Sequence, residues 1–291
     1  MTGQEYVAST GFDASKLVPM PLPIVSGNVT GAAVCSSNAA YSTGPTASRT
    51  TCYLVSCLAA GCYTCSGTFV ADPAGQFRLL FITATHCVAE SVTNTIQLAN
   101  SFVTCNRDAG VSAQGDGVFE PTAVAMSRID FTLGYGLADG SLIQLRALSN
   151  TNLAYAKPVA VGAVTTAGLS QSVPNLSAGF PQVTQQFEGC TQANLGNVLA
   201  IHYSRVNMVR TLTSSGLQIA GLSGCGGNSG GTMMDEQACV LFGVLSASAL
   251  ACVGGTSSNF YARIVASANE VGVPFLSLVG GLASGQVVFV N

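Results

Sequence analysis

The chain has 291 residues, 48% of them hydrophobic and only 8% charged, with a net charge of −3. That balance excludes a solvated, disordered chain. The 10 Lys and Arg are scattered rather than clustered, which argues against a nucleic-acid partner.

Taken in chain order, residues 1–50 read as an irregular extension with no signal-peptide pattern, since the start is neither basic nor apolar. Two sequons, Asn28-Val-Thr and Asn175-Leu-Ser, are compatible with secretion. Strands are expected over 77–85 ("FRLLFITAT"), 129–137 ("IDFTLGYGL"), 197–206 ("NVLAIHYSRV") and 239–248 ("CVLFGVLSAS"). These runs are rich in β-branched and aromatic residues and are separated by Gly, Ser, Asn and Pro. A helix is expected over 261–272 ("YARIVASANEVG"), stopped by Gly272 and Pro274. The uncharged stretch 271–291 is long enough to span a bilayer, but Pro274, its glycines and Gln286 interrupt it. A final strand around 286–290 is the reading adopted. Many short strands with turn signals between them indicate an all-β sandwich or barrels.

The 11 cysteines include one CxxC, "CYTC" at 62–65, with no second pair at zinc spacing. Disulfides in an oxidising compartment are the better reading, and the odd number leaves at least one thiol outside an intrachain bridge. No metal or organic cofactor is expected.

The stretch "GCGGNSGGTMM" (224–234) sets one serine, Ser229, among glycines. A serine hydroxyl is a poor nucleophile at neutral pH. It needs a base within hydrogen-bond reach and an acid that orients the base. The chain offers two histidines. His202, mid-strand in "LAIHYSRV", reads as a packed or surface side chain. His86 follows an apolar run in "FITATHC", where a rigid element delivers a side chain to a cleft. Asp130 opens an apolar strand, whereas Asp108 and Asp116 read as loop residues.

These stretches together resemble the trypsin- and chymotrypsin-like serine peptidases. "TATHC" (83–87) is similar to the family's histidine motif and "CSGTFV" (65–70) to the strand before it. "DFTLGYGL" (130–137) resembles the aspartate segment, "GNSGG" (227–231) the nucleophile loop, "GVLSAS" (243–248) the substrate-pairing strand, and "FYARI" (260–264) the lead into the last helix. The resemblance covers about 65–270 and keeps the family's order of His, Asp, Ser. It implies two packed six-stranded antiparallel β-barrels, a short C-terminal helix and a terminal extra strand. The expected division is 1–50 extension, 51–150 first barrel with His86 and Asp130, 151–272 second barrel with Ser229 and the helix, and 273–291 apolar tail. It further implies bridges Cys65–Cys87 and Cys225–Cys252, with Cys190–Cys239 a candidate third. The pairing of Cys35, Cys52, Cys57, Cys62 and Cys105 stays open. The implied activity is peptide-bond hydrolysis through Ser229, His86 and Asp130, with the Gly227 and Ser229 N–H groups binding the oxyanion.

Asn228 stands where members matured by cleavage carry an aspartate that binds the new amino terminus. A neutral amide forms no such ion pair, so none is expected, and "PIVSG" (23–27), with Ile24, reads as a coincidental activation site. "DFTL" and the missing switch both resemble the bacterial glutamyl- and lysyl-endopeptidase branch. The specificity-pocket positions are Ser223, Leu245, Ser246, Ser248 and Asn259. A neutral floor at Ser223 disfavours basic residues, and Leu245 replaces the histidine of glutamate-specific relatives. Ser248 and Asn259 narrow the pocket, so a small or medium uncharged residue is expected on the acyl side of the cut. The expected partner is a polypeptide substrate, with the expected location extracellular and a membrane role disfavoured. The alternative is a structural or binding protein on the same framework, in a virion or surface layer, assembling through the extension, the tail or an unpaired cysteine.

Overall fold

The computed structural model describes residues 18–19, 34–36, 50–58, 61–89, 101–105, 117–127, 137–148, 151, 153, 156–163, 172–180, 202–213, 216–222, 224–235, 239–249, 258–266, 270–284 and 289–290. Six strands build the first barrel: β1 (Thr51–Leu58), β2 (Gly61–Val70), β3 (Leu79–Thr83), β4 (Phe102–Cys105), β5 (Gly117–Ser127) and β6 (Ser141–Ala147). They run in the order β2-β1-β4-β5-β6-β3, and β3 pairs β2 again, which closes the barrel. Every one of these pairings is antiparallel. Closure pairs the Thr68–Val70 end of β2 and so removes the free edge there. The register slips between Pro121 and Ala123, where a proline has no N–H to offer the ladder. Inside, Phe69 packs edge-on against Phe81 at 5.4 Å and Phe119 at 5.0 Å, a geometry that aligns ring edges with ring faces.

The second sheet comprises β7 (Ser172–Gly179), β8 (His202–Val209), β9 (Gly216–Ala220), β10 (Thr232–Asp235), β11 (Val240–Ser248) and β12 (Ser258–Val265). Their order is β9-β12-β11-β10-β7-β8, again antiparallel throughout. Edge strand β8 continues through Arg210 into Thr211–Thr213, which pairs β9 at the other edge. The chain itself therefore links the two edges. The barrels meet where Tyr53 stacks edge-on against Phe180 at 5.6 Å. At the same seam Thr232 of β10 exchanges hydroxyl hydrogen bonds with Thr51 and, at 2.5 Å, with Thr68. This is the chymotrypsin-like architecture that the motifs imply.

Two expectations need correction. The extension is not wholly irregular: Val18–Pro19 lies parallel on Tyr63–Thr64 of β2, and Val34–Ser36 lies antiparallel on β8. The helix is displaced as well. Residues 258–265 form strand β12, buried along its whole length, and the helix, α1, spans Phe275–Ser284. Phe, Tyr, Ile and Val suit a pleated, two-sided packing surface, and a short apolar run is ambiguous between strand and buried helix. Pro274 precedes the first turn of α1, a position that tolerates its fixed φ and missing N–H. Phe275, Leu278, Val279 and Leu282 are buried at helical spacing, and α1 packs on β5 and β6. Gly280 and Gly281 lower helix propensity and masked this segment in the sequence. The end of the tail does form a strand, Phe289–Val290, parallel to Met126–Ser127. Among the described residues no helix is long and apolar enough to cross a membrane.

Candidate active site

His86 sits on a single 3-10 turn, Thr85–Cys87, directly after β3. Two constraints fasten this turn. The bridge Cys65–Cys87 ties it to β2, as the resemblance implies. The N–H groups of Val88 and Ala89 both return to the Thr85 carbonyl at 3.0 Å. The imidazole Nδ1 lies 2.7 Å from Oδ2 of Asp139, and the His86 main-chain N–H donates to Asp139 Oδ1 at 3.1 Å. Ser246, on β11, donates its hydroxyl to Asp139 Oδ2 at 2.6 Å. A carboxylate that is fully buried, as Asp139 is, is tolerable only with such partners.

Among the described residues the acid beside His86 is Asp139, 53 positions along the chain from it. Asp130, Asp108 and Asp116 lie outside the described residues. Asp139 stands on a tight turn leading into β6. Ser127, at the end of β5, donates its hydroxyl to the carbonyls of Ala138 and Gly140, and its N–H bonds Gly140 at 2.9 Å. The signal was present in "ADGSLIQL", an acid followed by small residues and an alternating strand. "DFTL" carries an acid before an apolar run too, and its likeness to the family's aspartate segment points to Asp130 instead.

Ser229 sits in the loop between β9 and β10. Gly230 has φ +81°, a left-handed conformation that favours glycine. A Cβ there would lie 2.1 Å from Thr83 Oγ1, 2.2 Å from the Ser66 carbonyl and 2.9 Å from the Ala84 nitrogen. The loop therefore presses against the end of β3, next to the His86 turn. Ser66 N–H donates to the Ser229 carbonyl at 2.7 Å, and Gly230 N–H donates to the Leu245 carbonyl at 2.8 Å, one residue before Ser246. Ser229 and His86 are almost wholly enclosed, 0% and 3% exposed. Among the described residues Ser229 Oγ has no hydrogen-bond partner, so its contact with the imidazole is unmade in this conformation.

The loop's N–H groups divide in a telling way. Asn228 donates to the Cys225 carbonyl, Gly230 to Leu245 and Gly231 to Asn228, at 2.9, 2.8 and 2.8 Å. Among the described residues, those of Gly227 and Ser229 have no such acceptor. Gly227 adopts φ +92°. Two backbone donors left open, that of the serine itself and that of the residue two before it, are what a developing oxyanion requires.

Of the pocket positions, Leu245, Ser246, Ser248 and Asn259 are buried on β11 and β12, and Ser223 lies outside the described residues. Asn259 pairs with Ser248 in register and donates Nδ2 to the Tyr261 hydroxyl at 3.2 Å, which donates in turn to Ser177 at 2.9 Å. Its Oδ1 lies 2.6 Å from where a Cβ on Gly224 would be, so the amide fills the space beside that glycine. Cys225 is disulfide-bonded, and its implied partner Cys252 lies outside the described residues. Two pairings that the sequence left open are Cys52–Cys105 and Cys57–Cys62. Cys239, half of the candidate bridge Cys190–Cys239, is exposed. The sequon asparagine Asn175 is fully buried and accepts a hydrogen bond from Arg210, so it presents no acceptor for a glycan. Ile24, Cys190 and the His202 side chain lie outside the described residues.

The trypsin family profile matches residues 30–270, and the chain belongs to that family. Solved structures agree on the fold. A thermostable serine protease, AL20, from an extremophilic microorganism is 16% identical, with 73% of this chain and 91% of that one covered at a TM-score of 0.53. The protease Anisep from Arthrobacter nicotinovorans is 15% identical, with 81% and 96% covered at 0.55. An inactivated protease paralogue of the scabies mite, S-I1, is 12% identical, with 82% and 96% covered at 0.55. No curated protein matches the chain.

Proposed function

We propose that the chain is a serine endopeptidase working through an acyl-enzyme, with Ser229 as nucleophile, His86 as base and Asp139 as the orienting acid. The observation that carries this reading is the buried His86–Asp139 hydrogen bond, made on a turn bridged to the strand that grips the Ser229 loop. Ser229 Oγ attacks the peptide carbonyl while His86 Nε2 takes its proton and passes it to the leaving amine. Asp139 fixes the tautomer with hydrogen on Nδ1 and stabilises the imidazolium. Ser246 and the His86 N–H fix the position of that carboxylate with hydrogen bonds. The Gly227 and Ser229 N–H groups receive the charge that develops on the carbonyl oxygen.

Asn228 brings no charge to this loop, which supports a site that needs no amino-terminal ion pair, as in the glutamyl- and lysyl-endopeptidase branch. Asn259, wedged beside Gly224, supports a preference for small or medium uncharged residues on the acyl side. We read 51–150 and 151–272 as the two halves sharing the site, with 1–50 and 273–291 as appendages. The disulfides favour an extracellular polypeptide substrate.

The test is a fluorophosphonate probe together with a peptide substrate. Ser229 should be labelled, and Ser229→Ala should abolish both labelling and hydrolysis. Asp139→Asn should lower kcat by about 10⁴-fold, because the imidazole then rests in the wrong tautomer, while Asp130→Asn stays near the wild type. An unlabelled wild-type protein would support the scaffold alternative. Equal losses at Asp130 and Asp139 would remove the assignment of the acid.

A further inference from the structure

We propose that Ser66 is a positioning residue for the oxyanion-binding backbone: its hydroxyl, from the first barrel, fixes the peptide that aims the Gly227 N–H. The inference rests on the serine-peptidase reading above. Ser66 is fully buried in β2. Its Oγ donates to the Gly227 carbonyl at 2.9 Å and accepts from the Phe180 N–H at 2.8 Å. Its main chain is engaged as well, its N–H by the Ser229 carbonyl at 2.7 Å and its carbonyl by Thr83 Oγ1 at 2.7 Å.

The peptide between Gly227 and Asn228 is therefore held at both ends. Its oxygen is bound by Ser66, and its nitrogen donates to the Cys225 carbonyl at 2.9 Å. With that plane fixed and φ of Gly227 at +92°, the direction of the Gly227 N–H follows. Room for the clamp depends on Gly179. A Cβ there would sit 3.1 Å from Ser66 Oγ and 2.7 Å from Asn228 Oδ1. Asn228 is 3% exposed, and its Oδ1 has no hydrogen-bond partner among the described residues. The neutral amide thus does not hold the loop through that oxygen, and the Ser66 hydroxyl does the holding. Truncation at Ser66 leaves the Gly227 carbonyl and the Phe180 N–H buried without their partner, and the peptide is then driven to rotate toward another donor.

The experiment compares the wild type with Ser66→Ala and Ser66→Thr on an alanyl peptide p-nitroanilide, with active sites counted by fluorophosphonate titration. Ser66→Ala should lose about 10- to 100-fold in kcat per titrated site with KM within about threefold, less than the 10²–10³ of deleting a donor outright. Affinity for a peptide aldehyde, which binds as an oxyanion, should fall by the same factor, and Ser66→Thr should recover most of both. A purely structural role would lower the number of titratable sites and leave kcat per site unchanged. That result, or equal losses in the Ala and Thr variants, overturns the proposal. If Ser66→Ala does not fold, Ser66→Cys, whose thiol is a weak donor, replaces it under the same criterion. A wild-type protein that is not labelled at Ser229 overturns the peptidase reading. Normal labelling with an unaffected Ala variant overturns the role of Ser66 alone.

Discussion

Among the described residues the first barrel fastens itself with three disulfides and packed rings, while the second, disulfide-bonded at Cys225, buries a cation. Cys52–Cys105, Cys57–Cys62 and Cys65–Cys87 all lie within 52–105, around the cluster of Phe69, Phe81 and Phe119. In the second barrel, Arg210 is 6% exposed. It donates Nε to Asn175 Oδ1 at 2.8 Å and Nη2 to Asp235 at 3.1 Å, and its guanidinium lies 3.8 Å above the Phe242 ring. Burial pushes its pKa down while Asp235 pushes it back up. A disulfide constrains the unfolded chain and is indifferent to a partner's charge. A buried ion cluster works only when every member is present. The candidate site straddles the two regimes, with His86 and Asp139 on the stapled barrel and Ser229 and Ser246 on the other.

The largest effect should therefore come at the seam. Gly230→Ala forces a left-handed φ on a residue with a Cβ and drives that Cβ into Thr83, the Ser66 carbonyl and Ala84. Strain and overpacking together should cost about 4 kcal/mol, read by urea unfolding, with activity lost as the barrels part. A loss under about 1 kcal/mol would mean the seam yields easily and the barrels are nearly independent. Next comes the double variant Cys65→Ala/Cys87→Ala. It opens a loop with a sequence separation of 22 and should cost about 3 kcal/mol. Amide exchange should quicken in β2 and around His86 and stay unchanged in β11 and β12. Uniform quickening would erase the distinction between the two barrels. Arg210→Ala should follow at about 2 kcal/mol, because Asp235 retains some exposure and water can reach it. Adding Asp235→Ala should recover part of that loss, and strict additivity would show that the cluster is no unit.

This contrast also decides what the sequence could reveal. Barrel strands such as Leu79–Thr83 and Val240–Ser248 were legible because β-branched and aromatic runs between turn residues have few other solutions. Cys65–Cys87 and the Ser229 loop were legible through the resemblance of their motifs to those of the family. Asp139 was not. Its role depends on a turn strapped by Ser127, a contact between strand ends that no local pattern encodes. The helix at Phe275–Ser284 was hidden by two glycines and declares itself only when its apolar face meets β5 and β6. Ser66 looked like part of a strand motif, and its value lies in an oxygen that reaches into the other barrel.

The smallest effect tests the comparison at the surface of the stapled barrel. Arg78 donates Nε and Nη2 to the two oxygens of Asp72 at 2.8 and 3.0 Å, and the Ala74 N–H adds a third bond at 2.9 Å. Arg78, through these hydrogen bonds, lowers the Asp72 pKa from the ordinary 3.8 to about 2. A carboxyl whose folded pKa lies below its unfolded one stabilises the fold above the unfolded value, and that contribution disappears as pH falls from about 4 through about 2. The pair lies at the barrel rim, so its worth is up to about 1 kcal/mol. Wild type and Asp72→Asn should therefore differ most at neutral pH and converge in strong acid, as followed by urea unfolding across that window. Curves that run parallel throughout would show that the ion pair contributes nothing, leaving the first barrel held by sulfur and packing alone.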